Sequence, residues 1–386
     1  MARDRGGESV GAGRTPDPRT GAENDDPAPR WQPRQRTGRG SRGAGCAARG
    51  AGAIEAGGGQ AGQGVALARR LRVGVCGAGY FGRLHALKLA RHPRAVLAGV
   101  CDLHHARAAA VAAETGAPAL DWPGLLRACS AVVIAAPAAA HHALAAAALD
   151  AGRHVLVEKP IATTLAAADD LAARAAGRGL VLQVGHLERF SAAFAALTAH
   201  LGRPRWIEAP RVAPYKPRGP DVSVVLDLMI HDLDLALVLA GGEPVQVEAV
   251  GTAVVGPAAD AAQARLRFAN GMLAVLTASR VAAATERRLA AYAPGGVARA
   301  DFVARSLTCI RQGAGAPVAD LPGFGAETHA WDEHDSLAAE HDAFLAAVLD
   351  GAQVAVDAAA GRRALAAALA VEAAIREAGS AAIEQA

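Results

Sequence analysis

The sequence predicts an α/β chain in two parts: a doubly wound parallel sheet first, then an α/β region built on a large, mostly antiparallel open sheet. Three observations predict it. From Leu71 onward, short apolar strand patterns alternate with helical ones, which is how parallel strands joined by crossover helices read. The first strand runs into Gly77, Gly79 and Gly82 and then opens a helix. After Gly185 the alternation gives way to strand-like stretches joined by turn signals, among them Asn270-Gly271, a strong hairpin cue.

The bulk numbers allow this architecture. With 386 residues and 52% hydrophobic composition, the chain can bury cores for two or three domains. The net charge of +3 comes from arginines crowded before Leu71, and the remainder is slightly acidic, so nucleic acid is not an expected partner. Cys46, Cys76, Cys101, Cys129 and Cys309 are odd in number and lack metal-ligand spacing, which predicts reduced thiols, a cytoplasmic setting and no metal. No apolar run of about 18 residues is free of charge, Pro or His, so no membrane span is expected, and the first residues show no signal-peptide core.

Residues 1–68, rich in Gly, Arg, Pro and Ala, have too few large apolar side chains to repay the entropy of ordering. They are expected to form a disordered tail, and Val65, just before the first strand, suggests a translation start there. Residues 69–186 are expected to form a Rossmann-type dinucleotide-binding domain. Residues 187–386 are expected to form a substrate and oligomerisation domain with C-terminal helices, assembling as a dimer or tetramer through its open sheet.

In the first half, strands are expected at 72–76, 96–101, 131–136, 154–157 and 180–184. Helices are expected at 82–91, 106–115, 141–151 and 165–176. In the second half, a helix over 187–201 leads to a strand over 206–212, a Pro/Lys/Arg loop over 213–221 and a helix over 224–240. Strands are expected at 264–268, 272–278, 287–292 and 299–311, and helices at 336–349 and 358–378 close the chain.

The glycine turn carries the first chemistry. Gly77 suits a tight turn, Gly79 lets backbone approach a pyrophosphate, and Gly82 lets the helix pack closely, with Tyr80 and Phe81 between them. The helix start then offers free N–H groups and a positive dipole end to phosphate. Asp102 ends the second strand about 20 residues beyond Gly82, where a carboxylate can accept both ribose hydroxyls. Leu103 and His104 follow it where NADP would want an arginine, so NAD is the expected cofactor.

Four further groups bear chemistry. Glu158-Lys159-Pro160 lies at the carboxyl end of a parallel strand, the edge where doubly wound sheets bind ligands. Lys159 is kept as lysine in a chain that otherwise uses arginine except at Lys88 and Lys216. Asp227, His231 and Asp234 recur on one helical face and could transfer protons. Pro137 and His141 follow the third strand, beside the cofactor edge. Finally, Arg211, Tyr215, Lys216 and Arg218, with His186, Glu188 and Arg189 before them, gather cations suited to an anionic substrate such as a sugar diphosphate.

These residues, in this order, resemble the Gfo/Idh/MocA oxidoreductases from Leu71 to the C-terminus. The resemblance implies that Lys159, Asp227 and His231 surround a reacting carbinol, with either Lys159 or His231 as its base. Gly77, Gly79, Tyr80, Phe81, Gly82, Asp102, Pro137, His141, Glu158 and Lys159 would line the cofactor. His186, Arg189, Lys216, Arg218 and Asp234 would meet the substrate. Met229 departs from the glycine many members carry there. The runs Val184-Gly-His-Leu-Glu-Arg-Phe190, Tyr215 to Asp221, Val225 to Asp234 and Leu276 to Arg280 look like the subgroup encoded beside lipid A biosynthesis genes. Ser191 and Ala192 depart from that subgroup's Asn-Pro. The subgroup implies oxidation at C3 of UDP-N-acetylglucosamine, a nucleotide-sugar substrate. Two alternatives stand beside it: a dehydrogenase of inositol or another sugar, and a catalytically silent NAD-binding sensor or scaffold.

Overall fold

In the computed structural model, residues 69–216 and 222–384 are described; the expectations for the 1–68 tail and for Arg218 fall outside them. The first half follows its apolar runs. Strands β1 (Leu71–Cys76), β2 (Ala95–Cys101), β3 (Ala131–Ile134), β4 (His154–Glu158) and β5 (Leu182–Gly185) form a five-stranded sheet in the order β2-β1-β3-β4-β5. Every neighbouring pair in it is parallel. Near-continuous burial along these strands is what a sheet covered on both faces requires.

The cover comes from helices α1 (Tyr80–Arg91), α2 (His105–Thr115), α3 (Trp122–Ala128), α4 (Ala138–Asp150), α5 (Leu165–Arg178) and two helices from the far end of the chain. Helix α3 was not anticipated. Seven residues are too short to show a period, and its start rests on one bond, Gly124 N–H to the Asp121 carboxylate at 2.8 Å.

Beyond β5, the predicted helix over 187–201 is divided. A 3₁₀ turn (Leu187–Phe190) ends at Ser191, whose hydroxyl accepts the Phe194 N–H at 3.1 Å and caps α6 (Ala192–His200). Strand β6 (Trp206–Val212) follows. The helix expected over 224–240 opens as a π turn (Val225–Met229) before continuing as α7 (Ile230–Ala240).

The second sheet adds β7 (Pro244–Thr252), β8 (Ala261–Phe268), β9 (Leu273–Ser279), β10 (Glu286–Ala293), β11 (Gly296–Asp301), β12 (Ser306–Gln312), β13 (Ala316–Pro317) and β14 (Phe324–Ala330). Its order is β13-β14-β12-β11-β10-β6-β9-β8-β7, antiparallel except where β6 meets β9. The single strand expected over 299–311 is two, because the Asp301 carboxylate accepts the N–H groups of Val303 and Ala304 and turns the chain. The Asn270-Gly271 hairpin is present, with Gly271 at φ 83°.

Helices α8 (Ser336–Asp350) and α9 (Ala358–Glu384) close the chain. Phe344 and Leu345 of α8 share a core with Leu71, Val73 and Leu156 of the first sheet. Helix α9 lies between both sheets: Ala360 and Leu365 pack into the core of the first, while Ala364, Ala368 and Val371 share the core of the second with Leu276 of β9, Phe194 of α6 and Leu233 of α7. Small residues permit this approach; a Cβ at Gly361 would stand 2.7 Å from Val184. Strand β6 alternates, burying Ile207, Ala209 and Arg211 while Trp206 and Glu208 face outward. Trp206 stacks on Tyr292 on that outer face, their ring centroids 4.4 Å apart.

The described cysteines, Cys76, Cys101, Cys129 and Cys309, are buried free thiols. Among the described residues no helix is long and apolar enough to cross a membrane.

Candidate active site

The turn after β1 has the geometry of a phosphate cradle. Gly77 sits at φ +96°, and a Cβ there would stand 2.5 Å from the Ala135 carbonyl oxygen, so glycine is required. A Cβ on Gly82 would fall 1.7 Å from the Gly77 oxygen, because α1 packs directly on the turn. Gly79 differs: a Cβ there meets nothing within 4 Å, leaving open space in front of the α1 N-terminus, which no side chain caps. Three glycines thus serve a bend, an opening and a close contact, as a bound pyrophosphate needs.

Asp102 closes this end. Its carboxylate accepts the Ala78 N–H at 2.7 Å and the His104 N–H at 2.8 Å, which fixes it beside the glycine turn where a ribose would lie. Tyr80 is exposed, whereas Phe81 turns its ring edge toward His85, 5.3 Å between centroids. Pro137 caps α4. His141 is buried, with Nδ1 2.7 Å from the Pro160 oxygen and Nε2 2.8 Å from the Ala136 oxygen. It braces the turn after β4, where the Lys159-Pro160 peptide is cis, against the end of β3.

Lys159 lies where β4 stops. Lys159 extends its ammonium to the π turn, donating to the Asp227 main-chain oxygen at 2.5 Å and reaching the Asp227 carboxylate at 3.4 Å. A π turn is a local widening of the helical ladder, often found at working sites, and here a lysine from the other sheet bonds to one of its carbonyls. His231 follows on α7 with Nδ1 buried and unpartnered. Burial first, then the positive charges of Lys159, Arg211 and Arg287, hold its imidazole well below the usual histidine range, so it is neutral.

Behind it the charges are paired. Arg211 reaches Asp232 with two bonds, 2.8 and 2.9 Å, and Glu188 at 2.7 Å. Burial opposes its charge, but these carboxylates outweigh the burial and raise its pKa. Arg189 grips Asp234 with two bonds, 2.6 and 2.5 Å, and the buried His186 has Nδ1 3.8 Å from the same carboxylate.

The structure joins Lys159 to Asp227, places the His231 imidazole within reach of the Lys159 charge, and divides the helical stripe. Asp227 faces Lys159, while Asp234 turns to Arg189. Arg211, grouped by sequence with the loop cations, is a core residue of β6. Lys216 is exposed at the loop edge. Sequence reasoning did not find the contact of His85 Nε2 with Glu158, 2.9 Å. The positions that join them are 73 residues apart, and no local spacing signals such a pair.

A glycine turn with Asp102 at its edge, and Lys159, Asp227 and His231 beyond the end of β4, suit an oxidoreductase that uses a dinucleotide. The chain belongs to the Gfo/Idh/MocA family: residues 71–186 match the oxidoreductase family's NAD-binding Rossmann fold, and residues 195–299 match the GFO/IDH/MocA C-terminal domain. It is similar to UDP-N-acetylglucosamine 3-dehydrogenase of Acidithiobacillus ferrooxidans, 44% identical over 309 residues, covering 79% of this chain and 97% of that one. The solved structure of that enzyme, GnnA, superposes with a TM-score of 0.76 at 44% identity, again over 79% and 97% of the two chains. A putative myo-inositol dehydrogenase from Sinorhizobium meliloti superposes with a TM-score of 0.68 at 25% identity, over 80% and 98%.

Proposed function

We propose that this enzyme oxidises the C3 hydroxyl of UDP-N-acetylglucosamine to a ketone, with NAD as acceptor. The observation that carries the reading is Lys159 bonded to Asp227 at the end of β4, with its charge acting on the His231 imidazole. The 44% identity with the Acidithiobacillus ferrooxidans enzyme, over 97% of its length, supports the sugar.

NAD, when bound along Gly77, Gly79 and Gly82, supplies the site that takes up hydride. His231, neutral by burial and by its cationic neighbours, accepts the hydroxyl proton. Lys159 directs its ammonium at the same oxygen and stabilises the negative charge that grows there as the proton leaves. Asp227 holds Lys159 through both its main-chain and side-chain oxygens. Lys216 and Arg218 remain our assignments for the diphosphate; Arg189 and Asp234 act as a mutually neutralised pair that shapes the wall near His186.

The product is a 3-keto sugar, the substrate a transaminase needs to make a 3-amino sugar of the lipid A kind. We also propose a cytoplasmic homo-oligomer joined through the outer face of the second sheet around Trp206 and Tyr292. The decisive experiment is incubation with NAD and a panel of UDP-sugars, inositols and free hexoses, following absorbance of the reduced cofactor. Reduction with UDP-N-acetylglucosamine well above that with myo-inositol is expected. Preference for inositol would reject the sugar assignment, and NAD binding with no reduction by any substrate would favour a silent sensor.

A further inference from the structure

Helix α8 carries a buried carboxyl group that the reaction above does not use. Glu340 has no solvent exposure, and neither of its carboxyl oxygens has a hydrogen-bond partner. Facing it are Glu158 from β4, His85 from α1 and Gln183 from β5, with His341 on its own helix. One ligand-type atom each from His85, Glu158 and Glu340 lies within 4.8 Å of the others. Lys88 and His92 of α1 stand farther off, around His341.

The bonding pattern of this cluster is short of donors. Glu158, as a carboxylate, accepts from His85 Nε2 at 2.9 Å, which assigns the His85 proton to that nitrogen. His85 Nδ1 is then an acceptor and takes the Nε2–H of His341 at 2.8 Å. His341 Nδ1 is left as an unpartnered lone pair, like Gln183 Oε1 and both oxygens of Glu340. The Gln183 amide N–H groups are not enough; the one placed here donates to the Glu340 main-chain oxygen at 3.2 Å. Two carboxylates within 4.8 Å of each other, one of them buried without a hydrogen-bond partner, cannot both be ionised at low cost. A proton on one of them turns an acceptor into a donor and removes the repulsion.

We propose that Glu340 is a resident neutral carboxylic acid beside Glu158, and that its neutrality lets Glu158 stay seated at the strand end that carries Lys159. Glu158 is then held by His85 at 2.9 Å and by Gly185, where a Cβ would stand 2.7 Å from Glu158 Oε1, with the neutral Glu340 carboxyl beside it. Burial, and next the Glu158 charge, push the Glu340 carboxyl well above its usual range, in keeping with this state. Helix α8 arrives from the far end of the chain, so this arrangement couples the C-terminal segment to the residue next to Lys159.

The test compares the wild type with Glu340→Gln, a neutral isostere, and Glu340→Ala. The unfolded state releases the Glu340 proton near pH 4.5, the folded state only at much higher pH, so wild-type stability falls as pH rises through that window. Glu340→Gln has no such proton to lose. Its Tm relative to wild type is expected to climb by several degrees between about pH 5 and about pH 9. The infrared difference spectrum, wild type minus Glu340→Gln, is expected to show the carbonyl stretch of a protonated carboxyl. Glu340→Ala is expected to lower kcat at least tenfold, and Glu340→Gln to keep at least half of it.

A Tm gap that stays flat with pH, a missing carboxyl band, or a Glu340→Gln variant that fails to fold overturns the proposal. So does a wild-type Tm lowered by EDTA, which would put a metal ion in place of the proton. The kcat comparison rests on the proposed sugar substrate, but the stability and infrared measurements do not involve any sugar. They decide the matter even if UDP-N-acetylglucosamine is not turned over.

Discussion

The glycine turn and the α7 stripe are built on opposite principles. Between Leu71 and Asp102 each chemical role is local: Gly77, Gly79 and Gly82 act through their own backbone, and Asp102 holds the N–H of Ala78 just across the β1–β2 edge. Between Asp227 and Asp234 the π turn and α7 carry four polar residues, and the three carboxylates each have a different partner from elsewhere. Asp227 meets Lys159, Asp232 meets Arg211, Asp234 meets Arg189, and His231 is left unpaired at Nδ1. Spacing is enough to read the first region. In the second, spacing shows that chemistry is present, and only the partners show which residue does it.

Substitutions can break or sharpen that contrast. The largest effect is expected at Lys159, where the two regions' chemistry meets. Lys159→Ala should lower kcat by about 10³-fold or more, within the range of lost proton-transfer and electrostatic assistance, while NAD affinity changes little. Steady-state kinetics beside a fluorescence titration of NAD would check it, and near-normal turnover would remove Lys159 from the reaction.

Next in size is a paired test of the glycine turn. In Gly82→Ala the new methyl meets the Gly77 oxygen, and overpacking of this kind costs about 1–3 kcal/mol. Both the urea midpoint and NAD affinity should fall. In Gly79→Ala the methyl enters open space, so stability should hold within about 0.5 kcal/mol while NAD binding alone weakens. If both variants behave alike, the space before α1 is not the phosphate site.

The smallest effect belongs to pH. His231 is neutral in the folded state because its pKa lies well below the ordinary value of 6.5. In the unfolded chain it takes up a proton below about 6.5, so the unfolded state binds more protons there and stability falls as pH falls through that window. Denaturant titrations of the wild type and His231→Gln from about pH 7 to about pH 5 should show a shallower loss in the variant. Parallel curves would mean that the imidazole is charged in the folded protein.

The legibility of this chain follows the same division. Strand β1, the turn and α1 could be read because apolar period and glycine geometry are properties of neighbours. Helix α3 escaped because seven residues carry too little periodicity, and the break at Ser191 escaped because a capping hydroxyl looks like any serine inside an apolar run. The single strand expected over 299–311 was divided by Asp301, whose side chain competes with the ladder for backbone N–H groups. Arg211 read as a loop cation beside Tyr215 and Lys216, yet its alternation with Ile207 and Ala209 already placed it on the buried face of β6.

By itself the sequence determined the dinucleotide turn, the parallel first sheet, and the residue types available for oxidising a carbinol. Those properties depend on contacts a few residues apart, where the chain's own geometry leaves few options. The tertiary structure decided the rest. It selected Asp227 as the partner of Lys159, consigned Asp232 and Asp234 to arginines, and brought Glu340 against Glu158 from 182 positions away. A carboxylate's role depends on which charge, donor or desolvating surface lies nearest in space, and the order of residues along the chain does not contain that distance.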